Sequence, residues 1–94
     1  MGYAERYVED YLRRRAKKDG FLCYKWTAPG TSGVPDDICI GNGKVFFIEC
    51  KAANGKLSEL QKFRIREIEA HGATVYVCYS REDIDEVLKG ELGI

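Results

Sequence analysis

The sequence predicts an α/β fold in which helices cover a mixed β-sheet, with elements in the order αβββαβα. Three observations lead to it. An Asn42-Gly43 dipeptide separates two apolar runs, which is the strongest short-range signal for a β-hairpin. Two long segments with helical apolar spacing lie before and after the strand-rich middle of the chain. A β-branched and aromatic run then precedes a last helical segment.

The boundaries of the elements follow from apolar spacing and from turn residues. Gly20 and Gly72 are expected to end the first and second long helices. Both faces of the hairpin are apolar, so helices are expected to cover both. The predicted elements are a helix from about Tyr3 to Asp19, a strand over Phe21–Trp26, a hairpin over Asp36–Lys51, a helix from about Ser58 to His71, a strand over Thr74–Tyr79 and a helix over about Arg81–Lys89.

Composition indicates one small globular domain spanning 1–94, because 94 residues leave room for a single core. The formal net charge of zero does not indicate a nucleic-acid ligand. Four cysteines without CxxC spacing, beside a single histidine, argue against a zinc site and favour buried thiols in the cytoplasm. No membrane span or signal peptide is visible, so no membrane partner is expected.

A homodimer is expected, since a partner subunit would help so small a domain bury its apolar surface. Tyr3, Tyr7 and Tyr11 form a second stripe on the first helix, away from its apolar face. That stripe is consistent with a subunit interface, and equally with amphipathic tyrosines packed on the outside of the domain.

The hairpin sets two carboxylates face to face. Counting outward from Asn42-Gly43 pairs Asp36 with Glu49, and directly opposite residues share one sheet face. Lys51 lies two residues further along, on the same face. Opposed carboxylates repel, and a divalent cation between them removes that penalty. Hard oxygen ligands suit Mg²⁺ or Mn²⁺, and the lysine is suited to stabilising developing negative charge.

Two other polar residues allow more than one interpretation. Glu5 falls at the end of the apolar stripe of the first helix, either as a third site carboxylate or as a solvated acid at a helix start. Glu9 follows one turn later. Gln61 completes a capping box with Ser58, and the start of its helix also follows the Lys51 loop, so it is consistent with either role.

At Gly33-Val34-Pro35-Asp36 and Glu49-Cys50-Lys51 the chain resembles the PD-(D/E)XK nuclease superfamily, and more closely its VRR-NUC branch. The flanking residues extend the resemblance from about Glu5 to Leu88. They are Glu5 with Val8 and Leu12, Tyr24-Lys25-Trp26, Pro29-Gly30, Phe47-Ile48 before Glu49, Leu57-Ser58 with Gln61, and Val75-Tyr76-Val77. Asp37 doubles the acid after Pro35, and the hairpin count favours Asp36 as the site residue.

The resemblance implies a metal-dependent DNA endonuclease with the restriction-endonuclease-like αβββαβ core. Asp36 and Glu49 would share the metal with the backbone carbonyl of Cys50, and Glu5 would hold a second metal or its water. Lys51 would orient the attacking water and stabilise the transition state. Gln61 and Glu9 would support these ligands from behind. The candidates for holding the DNA backbone are Lys25, Thr31, Ser32, Lys56 and Lys62.

The resemblance also implies that stand-alone members of about this size are phage-type proteins, which resemble Holliday-junction resolvases and act as homodimers. The expected substrate is therefore branched or duplex DNA, cut by structure rather than by sequence, since no base-reading motif is visible. A nickase or flap endonuclease of the same fold, and an inactive junction-binding module, are the alternatives.

Overall fold

The structure is a computed structural model that describes residues 3–93. The predicted order αβββαβα is confirmed. The last helix extends three residues past its predicted end at Lys89, because Gly90 is accommodated inside it. The left-handed Gly93 (φ 80°) caps its C-terminus. The elements are α1 (Tyr3–Lys18), β1 (Leu22–Lys25), β2 (Asp37–Gly41), β3 (Lys44–Cys50), α2 (Glu59–Ala70), β4 (Thr74–Cys78) and α3 (Arg81–Leu92).

The four strands form one mixed sheet in the order β1-β2-β3-β4. β2 is antiparallel to both of its neighbours, β1 and β3, and β4 runs parallel to β3. Asn42 (φ 51°) and Gly43 (φ 74°) form the hairpin turn in the left-handed region that such turns require. Ile40 pairs with Val45 in consequence, as the sequence predicts.

Helices α1 and α3 pack together on one face of the sheet, and the hydrophobic core lies between them and β2, β3 and β4. Leu12 and Ala16 of α1 are fully buried there, as are Ile84 and Leu88 of α3. The four cysteines are free thiols, three of them buried and Cys23 half-buried. Within residues 3–93, no helix has the length and apolar character needed to cross a membrane.

The opposite face of the sheet is only partly covered. Helix α2 contacts β4, and none of its own residues is buried. The expectation that helices cover both hairpin faces is therefore wrong for this side, because α1 and α3 both pack on the other. We call the uncovered surface the open face. It consists of Leu22, Tyr24, Ile38, Ile40, Val45 and Phe47, and four of these side chains are exposed.

The tyrosines of α1 pack against α3. The Tyr11 hydroxyl donates a hydrogen bond to Asp85, and the Arg81 guanidinium lies 5.5 Å from the Tyr11 ring and 5.7 Å from the Tyr7 ring. For these two tyrosines the structure thus supports outer packing, although Tyr7 remains 46% exposed. The side chain of Tyr3 lies outside the described part of the structure.

Gly41→Ala is expected to lower the free energy of unfolding by about 1–3 kcal/mol, the usual range for overpacking a core. A Cβ at this position would stand 2.4 Å from Cδ1 of the buried Phe21. Gly90→Ala is the matched control, because a Cβ there meets no atom within 4 Å and a helix interior favours alanine. The control should raise the same free energy by about 0.5–1 kcal/mol in urea denaturation. Equal shifts for both variants would contradict this account of Gly41.

Candidate active site

Asp36 and Glu49 meet at the end of the hairpin away from its turn. Asp37 pairs with Ile48, and the same register continued by one residue sets Asp36 opposite Glu49. Asp36 Oδ2 accepts a 2.9 Å hydrogen bond from the Cys50 amide, and its carbonyl accepts a 2.8 Å bond from the Trp26 amide. Asp36 is therefore tied to both neighbouring strand ends.

Gln61 combines the two roles that its sequence position allows. Its Oε1 accepts a 2.9 Å hydrogen bond from the Ser58 amide, while its own amide donates to Ser58 Oγ at 3.0 Å, completing the capping box. Its Nε2 donates to Glu49 Oε2 at 3.2 Å. Because the cap fixes one end of the side-chain amide, the other end is held against the carboxylate.

Lys51 lies beside the same carboxylate. Its Nζ is 3.9 Å from Glu49 Oε2, and its side chain is only 11% exposed. The Lys51 amide donates to the Cys78 carbonyl at 2.9 Å, which ties this residue to the end of β4. The ammonium group is thus held within a few ångströms of the paired carboxylates.

Burial opposes the ionisation of both carboxylates. Together with the negative charges of Asp36 and Glu5, it raises the pKa of Glu49 to about 8, against the opposing effects of Lys51 and of the Asp36 amide. Burial also raises the pKa of Asp36, against the Cys50 amide and Lys25, with the charges of Glu9 and Glu5 adding to the increase. Glu5, half-buried on α1, is therefore electrostatically part of this group.

A second cluster of charged groups lies behind Asp36, on the side of α1. Glu9 is only 5% exposed and is more deeply buried than Glu5, the helix carboxylate that the sequence favours for the site. Glu9 Oε2 lies 3.1 Å from both Arg13 and Lys25, and these cations allow its charge to be buried. Arg13 also lies 3.3 Å from Asp37.

Asp37 is fully buried in this cluster, and its Oδ2 has no hydrogen-bond partner among the described atoms. Burial and the neighbouring Glu9 raise the pKa of Asp37 well above its usual range, against the charge of Arg13. Burial raises the pKa of Glu9, but the neighbouring Asp37, Lys25 and Arg13 lower it overall.

The sequence reasoning missed Arg13 and Asp37 as members of the cluster. Two signals were available. Asp37 alternates with the core residue Cys39 along β2, so its carboxyl had to enter the core side of the sheet. Arg13 follows Glu9 at the i,i+4 spacing that brings side chains together on a helix.

The five candidates for DNA contact lie at different places. Lys25 approaches the site, with its Nζ 3.8 Å from Asp36 Oδ1. Within residues 3–93, no recorded polar contact joins the other four to Asp36 or Glu49. The Ser32 carbonyl accepts a hydrogen bond from Arg64 Nε at 2.9 Å, and Lys62 pairs with Glu59 at 3.4 Å. The side chains of these four, Thr31, Ser32, Lys56 and Lys62, are exposed.

The donor set fits a hard divalent cation in its chemistry. Across the described residues, no three side chains of His, Cys, Asp or Glu are already gathered in metal-binding geometry. Asp36 and Glu49 are nevertheless carboxylates whose pKa values burial and neighbouring negative charges raise, and a cation would relieve both effects. Oxygen donors of this kind are the ligands that Mg²⁺ and Mn²⁺ prefer.

Comparisons with known proteins identify the family to which the chain belongs. The family model described as the VRR-NUC domain matches residues 25–82. A protein of Acyrthosiphon pisum secondary endosymbiont phage 1, named "Putative nuclease p44", is 35% identical over 82 residues, which are 86% of this chain and 87% of that protein. A solved structure titled "VRR_NUC domain" superposes with a TM-score of 0.85 at 28% identity, covering 94% of this chain and 97% of the other. The chain therefore belongs to the VRR-NUC domain family of nucleases.

Proposed function

We propose that the chain is a metal-dependent, structure-selective endonuclease that hydrolyses DNA phosphodiester bonds. The observation that carries the proposal is the pairing of Asp36 with Glu49 at one end of the sheet, with Lys51 beside them. A buried Glu49 opposite a half-buried Asp36 destabilises a domain that only binds DNA, because the two carboxylates repel each other. The same pair is useful to an enzyme that loads a cation between them.

The proposed metal ligands are the carboxylates of Asp36 and Glu49 and the backbone carbonyl of Cys50, with Glu5 as a further carboxylate. A bound Mg²⁺ or Mn²⁺ supplies Lewis acidity toward the phosphate and lowers the pKa of water. Gln61 contributes by holding Glu49 Oε2, so that the carboxylate keeps one orientation as its proton leaves.

Lys51 is the proposed catalytic cation. In hydrolysis, the oxygen of a water molecule forms a bond to phosphorus and the bond from phosphorus to one sugar oxygen breaks. The attacking water loses a proton to solvent, and the departing sugar oxygen takes one up to become a hydroxyl. Negative charge builds on the phosphate oxygens during this step. An ammonium group held in place by β4 and Glu49 stabilises that charge without reorganising.

Four-way DNA junctions are the proposed substrate, cut by a homodimer. Resolving a junction needs two cuts in symmetrically related strands, which a two-fold dimer provides with its paired sites. The open face supports this assembly, because exposed apolar surface that is contiguous over three strands is unusual for a monomer. It carries no charged side chain, so two copies can pack it against itself. The phage relative favours a phage or prophage origin and action in the cytoplasm of a bacterial host.

Asp36→Ala and Lys51→Met are expected to reduce cleavage of a labelled four-way junction by about 100- to 1,000-fold, the usual effect of removing one electrostatic catalytic group. The assay compares the junction with linear duplex and a 5′ flap, in Mg²⁺, Mn²⁺ or a chelator. Asp10→Asn is the matched control, since this α1 carboxylate is exposed.

Paired, metal-dependent junction cuts that both variants lose support a resolvase. Preferred cutting of the flap, or single nicks, would show that the substrate is not the four-way junction, but would leave the proposed metal-dependent hydrolysis in place. Tight junction binding without any cleavage would leave a binding module instead.

The stability of the metal-free protein is expected to fall as pH rises from about 4.5 to about 8. The folded protein holds the Glu49 proton more tightly than the unfolded chain does, so stability is lost as pH rises through the folded-state pKa. Added Mg²⁺ should raise the melting temperature more at pH 9 than at pH 6. Glu49→Gln should reduce both effects in thermal melts. A Mg²⁺ response that Glu49→Gln leaves unchanged would put the metal elsewhere.

Val45→Lys is expected to convert a dimer into a monomer in sedimentation velocity, because it adds a charge to the exposed, apolar open face. The monomer should nick a junction rather than cut both strands. Ala70→Lys is the matched control, because it adds the same charge at an exposed position at the end of α2. A wild-type protein that sediments as a monomer at high concentration would rule out the dimer.

A further inference from the structure

Lys25 stands between two carboxylates of different function. Its Nζ lies 3.1 and 3.2 Å from the two oxygens of Glu9 and 3.8 Å from Asp36 Oδ1. The shorter distances show that the ammonium group is held mainly by Glu9. It nevertheless remains within Coulombic reach of a proposed metal ligand.

Glu9 is a rigid anchor for this lysine. It is 5% exposed, on a helix packed against the sheet, and Arg13 contacts Oε2 at 3.1 Å independently of Lys25. The main chain also holds Lys25 in register, because this residue pairs with Asp37 at the end of β1. Removing Lys25 therefore leaves the buried Glu9 with another cation.

We propose that Glu9 is a positioning residue that keeps the Lys25 ammonium off Asp36, so that Asp36 is open to a divalent cation and Lys25 is open to a DNA phosphate. This inference rests on the proposed function, since it needs Asp36 as a metal ligand. Glu9 thus acts on the metal site only through Lys25.

The physical basis is competition between cations for one carboxylate. An ammonium group that reaches Asp36 neutralises it and repels an incoming Mg²⁺ or Mn²⁺. Glu9 supplies a second, buried carboxylate that binds the same ammonium more closely. The side chain of Lys25 stays 45% exposed, which leaves its remaining N–H donors accessible to a phosphate oxygen.

The test is a calorimetric titration of the full chain with Mn²⁺ in the absence of DNA. Lys25→Met should bind Mn²⁺ about tenfold more tightly than wild type, and Glu9→Gln about tenfold more weakly, within the usual range of coupling between sites. The Glu9→Gln/Lys25→Met double variant should resemble Lys25→Met, because Glu9 acts through the lysine.

Binding of a labelled junction supplies the second readout. In chelator, Lys25→Met should bind the junction more weakly than wild type, although it binds Mn²⁺ more tightly. A purely structural lysine would weaken both. Lys89→Met, an exposed change on α3, is the control for charge alone.

Comparing Asp36→Ala with Lys25→Met distinguishes a failure of the proposed metal site from a failure of the proposed role of Lys25 and Glu9. If Asp36→Ala abolishes Mn²⁺ binding while Lys25→Met leaves it unchanged, the inference is overturned and the metal site stands. If Asp36→Ala changes nothing, both fail. Additive effects in the double variant would mean that Glu9 acts by its own charge. Thermal melts check that each variant folds. If Glu9→Gln does not fold, Lys25→Met still tests the inference, because its side chain is half-exposed and its loss should not disturb the core.

Discussion

The register of the β2–β3 hairpin is the constraint on which the rest of the site depends. Asn42 and Gly43 adopt the left-handed turn that fixes this register, and the pairing then runs out to Asp36 opposite Glu49. A slip by one residue would exchange the two faces of a strand. Asp37 would then face Glu49, and Asp36 would enter the core side. The chemistry at one end of the hairpin is therefore set by the turn at the other.

Both sides of the sheet hold buried carboxylates beside this hairpin end, and they are stabilised differently. Glu49 Oε2 is contacted by Gln61 Nε2 and by the Lys51 ammonium. Because its pKa is raised to about 8, a cation can compete with a proton for this carboxylate near neutral pH. Behind it, Glu9 is held ionised by Arg13 and Lys25. Glu9 thus has two cations at 3.1 Å, whereas the Lys51 ammonium lies 3.9 Å from Glu49. That difference favours Glu49 for the proposed metal site and Glu9 for a supporting role.

The uneven covering of the sheet bears on the proposed dimer. Of the three helices in the described residues, α1 and α3 pack on one face of the four-stranded sheet. The open face lies on the other side, and the carboxylates of Asp36 and Glu49 lie beyond it on that same side, near the strand ends away from the hairpin turn. This side of the sheet therefore holds both the proposed contact area for a second copy and the proposed site for DNA.

The sequence by itself determined what is local in this protein. Helix ends at Gly20 and Gly72, the hairpin turn, and the shared face of Asp36, Glu49 and Lys51 follow from backbone preferences and from two-residue alternation. Only the tertiary structure decided which helices cover which face, that Glu9 rather than Glu5 is the buried helix carboxylate, and that Gln61 serves the cap and Glu49 together. Those outcomes depend on partners distant in the chain, such as Lys25 for Glu9, and local periodicity carries no information about them.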